Sequence, residues 1–289
     1  VLPHELTYPK PVEDRMKLLD ACNASFDQVF MIYNDPSMQG DKLLEKVMKG
    51  DPAISVHDDN KVRHSLWMIT DQGSIDELNN MMKDKKAIIA DGHHRYETAK
   101  RFLRSRGEAF DYTMVYFANA ASDLPIMPIH RLFKKSGHID INKLAGTFEV
   151  KQVHDPKDMI PMLSSHKNVT AFGVLANNIC AIIVLKDPRV PEEVILDQHH
   201  PEWKKLDVTV LHRIILPRLG IGEKDNLNYT VNFEEAQKKI ASGEAQLAFF
   251  LNSTRIDQII TIAEARGLMP QKSTFFYPKL LSGLVMRQY

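Results

Sequence analysis

The stretch from residue 86 to residue 106 limits the fold of this chain more than any other. Lys86-Ala87-Ile88-Ile89-Ala90 is a short apolar run, the length of a buried strand, and Asp91-Gly92-His93-His94-Arg95 follows at once. From about His93 to Arg106, Tyr96, Ala99, Phe102 and Leu103 recur at helical spacing, and Gly107 stands where such a helix would close. A strand that passes into a helix through one glycine fixes both elements and the turn between them. It also gathers Asp91, His93, His94 and Arg95 where that strand ends.

That turn has a chemistry. The start of a helix offers unpaired backbone N–H groups and the positive end of the dipole, which together suit a phosphate. Gly92 allows close approach and positive φ. Arg95 can grip phosphate oxygens bidentately, His93 and His94 can donate hydrogen bonds or move protons, and Asp91 can accept a proton from a substrate hydroxyl or hold a metal. The plainer reading is a capped helix with Asp91 as N-cap and two exposed histidines. Adjacent histidines between an aspartate and an arginine are unusual for a cap alone, so the functional reading is preferred.

The remaining pattern is α+β, with mixed sheets and flanking helices. Helices are expected over Val12–Cys22, Asp41–Lys49 and from an N-cap at Ser74 to Met82, with strands over Val29–Tyr33, Lys61–Thr70 and Tyr112–Ala118. Further on, Leu144–Val153 leads to a helix over Pro156–Ser165. Val169–Leu175 and Ile179–Leu185 form a hairpin about Asn177-Asn178. Trp203–Leu219 reads as one amphipathic helix, Asn232 caps a helix to Ser242, and Gln246–Leu251, Ile256–Arg266 and Leu284–Arg287 read as strand, helix and strand. Pro125, Pro128 and Gly137 cluster near a boundary at Ser122–Gly137, dividing a domain over 1–125 from a second α/β layer over 126–289.

Polar chemistry concentrates in a few other segments. His4-Glu5 and Arg15 flank an arm and the start of a helix. There Glu5 could bind a metal or act as base, and His4 and Arg15 could contact phosphate; a solvated arm is the plainer reading. His130-Arg131 lies between apolar residues, either a second phosphate contact or a surface pair at a strand end. In the run from Met269 to Lys279, Lys272 and Lys279 could neutralise phosphate, and Ser273 and Thr274 could add donors around an aromatic anchor. Gln198-His199-His200-Pro201 reads as an exposed loop. Asp207 and His212, five apart, do not share a helical face well and read as structural.

Composition narrows the classes. Lys plus Arg is 37 and Asp plus Glu is 37, which argues against general nucleic-acid or membrane-surface binding. No apolar run approaches the ~18 residues of a membrane span. Cys22 and Cys180 give neither a disulfide framework nor a metal knuckle, and read as small buried hydrophobes in a reducing cytoplasm. P-loop, Rossmann, H-E-x-x-H and G-x-S-x-G signatures are absent.

Ala90-Asp91-Gly92-His93-His94-Arg95-Tyr96-Glu97-Thr98-Ala99 resembles the signature of the domain of unknown function 1015 family. Pro3-His4-Glu5-Leu6-Thr7 with Asp14-Arg15, Pro128-Ile129-His130-Arg131 and Gln271–Lys279 fit the same pattern, with Leu6 where the motif has a polar residue or His. The turn is more distantly similar to the phosphate-binding turn of the ParB/sulfiredoxin superfamily, and most of all to its free serine kinases. This implies a ParB/sulfiredoxin-like N-terminal half. It makes Asp91 the base for a substrate hydroxyl, and Gly92, His93, His94 and Arg95 the ligands of donor phosphates. The implied activity is a phosphotransferase, a serine-type kinase, moving phosphate from a nucleotide or pyrophosphate to a small hydroxyl compound, with Mg2+ as a possible cofactor. The alternative is a non-catalytic nucleotide- or phosphate-binding regulatory module. A sulfiredoxin-like reductase is disfavoured because neither cysteine lies in the turn. Family members are typically longer at the N-terminus, so a chain opening on Val1 is expected to lack an N-terminal segment.

Overall fold

The structure is a computed structural model that describes residues 1–59, 61–106, 112–134, 139–222, 225 and 228–289. The Gly107 helix stop and the Gly137 boundary marker lie outside the described residues. The fold is α+β. Val1–Pro125 together with Phe276–Tyr289 form one compact unit, and Ile126–Phe275 form another. The terminal segment 276–289, read from sequence as part of the second domain, therefore belongs to the first unit. Its physical reason is burial: Phe276 is buried and meets Phe30 edge-on, with ring centroids 5.4 Å apart.

The first unit runs through α1 (Pro9–Cys22), β1 (Ala24–Ser25), β2 (Val29–Tyr33), α2 (Gln39–Val47), β3 (Ile54–His57), β4 (Arg63–Leu66), α3 (Gln72–Met82), β5 (Ile88–Asp91), α4 (His93–Arg106) and β6 (Val115–Asn119). Every residue of β2 is buried, which is why it reads as an unbroken apolar run: it is the central strand of a β5-β2-β6 sheet. It pairs antiparallel with β5 and parallel with β6. Asp91, at the end of β5, is thereby set opposite Phe30, whereas Asn119, at the end of β6, is set opposite Tyr33. The turn after β5 and the loop after β2 thus lie at opposite ends of the sheet. Val12 and Leu19 of α1 and Ala99 and Phe102 of α4 are buried, and α1 packs on α4.

Three readings change. The N-cap of α3 is Asp71, whose carboxylate accepts from Ser74 N–H at 2.8 Å; Ser74 is inside the helix. The expected strand over Lys61–Thr70 shortens to β4, which pairs with β3. Of the two cysteines, Cys22 is exposed and Cys180 partly buried, so neither is the fully buried hydrophobe expected. At the C-terminus Arg287 and Gln288 pair with β1.

The second unit contains β7 (His130–Phe133), β8 (Phe148–Gln152), α5 (Met159–Ser164), β9 (Ala171–Ala176), β10 (Ile179–Leu185), α6 (Val190–Val194), α7 (Pro201–Lys205), α8 (Asp207–Val210), α9 (Leu216–Arg218), β11 (Asn228–Thr230), α10 (Phe233–Ala241), β12 (Leu247–Leu251) and α11 (Ile256–Glu264). Its strands form an antiparallel sheet in the order β11-β7-β12-β9-β10-β8. β9 and β12 are buried throughout, as expected of central strands. Met159, Leu163, Ala236 and Ile240 cluster with Leu175, Ile182 and Phe250 on one side of it. At Gly173 a Cβ would stand 2.6 Å from Met159 Sδ, so the glycine is what lets α5 approach the sheet.

The single helix expected over Trp203–Leu219 is instead broken. Leu206 is extended with ψ 133°, α8 starts anew at Asp207, and Leu211–Ile215 is a π-helical turn before α9. Pro217 explains the π turn. It has no N–H for the carbonyl four residues back, and its ring crowds that carbonyl, so the backbone widens to an i→i−5 bond from Leu216 N–H to Leu211 O. Among the described residues no helix is long and apolar enough to cross a membrane.

Candidate functional site

β5 ends on Asp91, Gly92 turns the chain with φ +88°, and α4 begins at His93. Gly92 is required twice over. Its φ lies in the left-handed region, and a Cβ there would come within 2.7 Å of both Arg95 Nε and Nη2. The Arg95 guanidinium is thus seated on the bare Cα of Gly92. Intrahelical bonding starts with Tyr96 N–H to Gly92 O at 2.9 Å, so the N–H groups of His93, His94 and Arg95 precede it.

Charge converges on one carboxylate. Lys279 Nζ lies 3.3 Å and Arg95 Nη2 3.7 Å from Asp91 Oδ2. Burial pushes the Asp91 carboxyl up. Lys279 and Arg95 outweigh it, helped by the Gly92 N–H, and hold it below the usual carboxylate range. Both cations stand at the positive end of a 14-residue helix. Arg95 Nε is buried and has no hydrogen-bond partner among the described residues. Cations, a helix start and the unanswered Arg95 Nε are what an anion needs.

The two histidines face the N-terminal arm. His93 Nε2 accepts from His4 N–H at 3.2 Å, and His94 Nε2 accepts from Tyr8 N–H at 3.0 Å. Leu2 bridges Ile88 in parallel, with Leu2 N–H to Ala87 O at 2.8 Å and Ile89 N–H to Leu2 O at 2.9 Å. The arm is therefore fastened along β5 and over the start of α4. The His4 and His93 rings meet edge-on at 4.6 Å. Burial drives His93 to about 3, with His4 and His94 adding to the shift and Asp91 opposing it. Burial likewise takes His4 to about 4, against the Ile89 backbone and Asp91. His94 is lowered by burial and by Arg15. These imidazoles are uncharged near neutral pH, and each acceptor nitrogen of His93 and His94 is committed to the arm. Glu5, partly buried, follows His4 on that arm. Arg15, on α1, lines with Arg95, Ser25, Asp27 and Thr98 a hollow of about 60 Å³.

The structure thus brings His4, Asp91, Gly92, His93, His94, Arg95 and Lys279 together in the first unit. His130, Arg131, Lys272, Ser273 and Thr274 belong to the second. There His130 is buried, accepts from Leu251 N–H at 3.3 Å, and is driven to about 4 by burial and by Arg131. Arg131 is buried, donates to the carbonyls of Ile129 and Lys272, and lies over the Tyr229 ring at 5.7 Å. Ser273 Oγ donates to Pro270 O, and the Ser273 carbonyl accepts from Thr254 Oγ1 at 2.7 Å. Lys272 has an exposed side chain and φ +56°. Among the described residues no three His, Cys, Asp or Glu side chains group as a metal site.

Sequence reasoning missed the buried hub at the other end of the first sheet. Asn119 Oδ1 accepts from Asp35 N–H at 2.9 Å, its Nδ2 donates to Asp41 at 2.7 Å, and Asp35 accepts from Lys85 at 3.0 Å and from Gln39 N–H at 2.9 Å. The only sequence signal was Asp35 before α2, readable as a cap. Asp207 is the other residue passed over. Burial raises its carboxyl to about 8, against Arg255, Thr170 and Arg131.

An α+β fold carrying a strand–Asp-Gly-His-His-Arg–helix turn is the class these residues define. The chain belongs to the family described as protein of unknown function (DUF1015), whose model matches residues 1–209. Among curated proteins none matches the sequence. Several solved structures resemble it, three of which follow. A free serine kinase in complex with AMP is 14% identical with a TM-score of 0.44, covering 95% of this chain and 83% of that one. SbnI with C-terminal truncation from Staphylococcus aureus is 9% identical with a TM-score of 0.47, covering 97% and 81%. A conserved hypothetical protein from Pyrococcus furiosus is 13% identical with a TM-score of 0.41, covering 95% and 86%.

Proposed function

We propose that the Asp91–Arg95 turn, with Lys279, grips the phosphates of a nucleotide or pyrophosphate and that the protein passes a phosphoryl group to a small hydroxyl substrate such as serine. The observation that carries this reading is the Arg95 guanidinium seated on Gly92 at the open start of α4, its Nε buried and unanswered among the described residues, with Lys279 beside it across Asp91. Phosphoryl transfer asks little covalent work of a protein; it asks for clamping and charge at the transferring oxygens. Arg95, Lys279 and the first N–H groups of α4 supply these.

Asp91 receives the substrate hydroxyl proton. A carboxylate held below its usual range is a weak base. That is acceptable where the transition state is loose and the proton leaves late. Glu5, on the arm, is the second acidic group. His93 and His94 serve by position rather than charge, fastening the arm to the turn. In the second unit, His130 accepts from Leu251 N–H and Arg131 donates through Nη1 and Nη2 to backbone carbonyls.

The residues do not build a cage for Mg2+. The Asp91 charge is taken up by Lys279 and Arg95, and no metal-holding group exists among the described residues. No step is routed through the ion. The balanced total charge gives no support to a nucleic-acid partner.

One observation favours a second reading, a non-catalytic phosphate-binding module: the carboxylate nominated as base is already paired with two cations. Asp91→Asn separates the readings. With serine and ATP, ADP or pyrophosphate, 31P NMR is expected to detect phosphoserine from the parent protein and none from the variant, at unchanged fold. Turnover that survives the substitution, or no product with any donor while the donor still binds, rejects the kinase reading.

A further inference from the structure

Independent of that turn, the second unit holds a cleft of about 460 Å³, and two buried polar atoms on its wall lack hydrogen-bond partners among the described residues. Thr209 is 1% exposed and lines the cleft, yet its hydroxyl has no hydrogen-bond partner among the described residues, not even a carbonyl of its own helix. Gln271 lines the same cleft from the segment before β13 (Arg287–Gln288), and its Nε2 is buried and equally unanswered. Buried polar atoms are nearly always satisfied, so two orphans on one cavity call for a group to fill it.

The other walls define that group. Phe133, Trp203 and Tyr229 give flat aromatic surface. Trp203 is fixed by its Nε1–H to Leu268 O at 3.0 Å and by a stack on His199 at 3.9 Å. The π turn forms part of the wall and carries His212 and Arg213 into the lining. Such turns are frequent at functional sites. His212 is driven to about 4 by burial, with Arg131 and Arg213 adding to the shift, so it meets a ligand uncharged. Among the described residues no carboxylate lines the cleft, while Arg213, paired with Asp197 at 3.1 Å, stands on it and Arg131 lies over the Tyr229 ring. Unanswered hydrogen-bonding groups and aromatic faces thus share one wall.

We propose that this cleft binds a planar aromatic or heteroaromatic carboxylate, its ring against Trp203 and Tyr229 and its carboxylate accepting hydrogen bonds from Thr209 Oγ1 and Gln271 Nε2. The volume is in the range of small-ligand sites.

The test uses the full chain with nicotinate, quinaldate and indole-3-carboxylate as probes and benzylamine as the cationic comparison. Saturation-transfer NMR is expected to detect at least one carboxylate and not the amine. At a tenfold excess over Kd, that carboxylate should raise Tm by roughly 3–6 °C. Thr209→Val keeps the side-chain shape and removes the orphan hydroxyl. It should leave Tm without ligand unchanged or higher, since an apolar group there is no worse than an unsatisfied one, and weaken the carboxylate at least tenfold. Gln271→Leu should weaken it by a similar factor. The proposal is overturned if no carboxylate binds, if the amine binds as well, or if both variants retain full affinity. A Tm without ligand that falls in Thr209→Val also overturns it, because the hydroxyl is then satisfied by ordered water and not kept for a ligand.

Discussion

Lys279 and Asp91, 188 positions apart in the chain, meet at 3.3 Å beside the first turn of α4. The C-terminal segment thereby supplies a cation to a turn built almost wholly from residues 91–95. Lys279→Met is expected to weaken binding of pyrophosphate or ADP by roughly 10–100-fold, the worth of a charge-assisted hydrogen bond. The pair is partly exposed, so stability should change by less than about 1 kcal/mol. Calorimetric titration and urea unfolding measure the two separately. A large loss of stability with unchanged affinity would make Lys279 a structural tie.

Gly92→Ala tests the seat of the guanidinium. The φ of +88° strains any L side chain, at about 1–2 kcal/mol, and the new Cβ must push Arg95 aside. The variant should fold and should lose phosphate affinity about as severely as Arg95→Ala. Arg95→Lys should not restore it, because a point charge lacks the planar fork. Normal affinity in Gly92→Ala would mean that the position of Arg95 does not matter.

The buried histidines give a pH dependence of known sign. His93 and His4 have folded-state values of about 3 and about 4, below the unfolded 6.5. Between those values the unfolded chain binds more protons, so stability is fully present above pH 6.5 and falls as pH drops toward 4 and 3. At pH 5 the loss is on the order of 2 kcal/mol per histidine. The depressed Asp91 carboxyl acts in the same direction, at lower pH. Urea midpoints from pH 7.5 to pH 4.5 should fall steeply in the parent and less steeply in His93→Gln. Equal slopes in the two would remove His93 from the account.

The stapling bonds make a further prediction. His94→Ala removes the acceptor for Tyr8 N–H. The arm around Tyr8 should then exchange its amide hydrogens faster, with little change in α4. Unaltered protection at Tyr8 would show that Leu2 and His4 hold the arm without it.

The sequence made some of this legible and hid the rest for physical reasons. β2 and β12 were readable because full burial leaves an unbroken apolar run, and the β9–β10 hairpin because Asn177-Asn178 suits a tight turn. α4 was readable because one apolar stripe marks it and Gly92 turns the chain into it. The break at Leu206 and the π turn were not readable, since the apolar period of Trp203–Leu219 continues through both and only Pro217 disturbs it. Asp91, Arg95 and Lys279 were all named as candidates, but their meeting depends on where the C-terminal segment packs. The histidine pair was legible only in part. Adjacency suggested ligand contact, whereas the acceptor nitrogens are taken by backbone N–H groups 89 and 86 positions away. No local pattern encodes that partnership.

The central claim is that the Asp91–Arg95 turn and Lys279 form a phosphate clamp. Its most direct test is calorimetric titration of pyrophosphate into the parent protein and into the Arg95→Ala/Lys279→Met double variant at pH 7.5, with circular dichroism to verify folding. The account requires saturable binding to the parent and a loss of at least about 100-fold in the folded double variant. Equal affinity in the two proteins, or no binding to the parent, would contradict it.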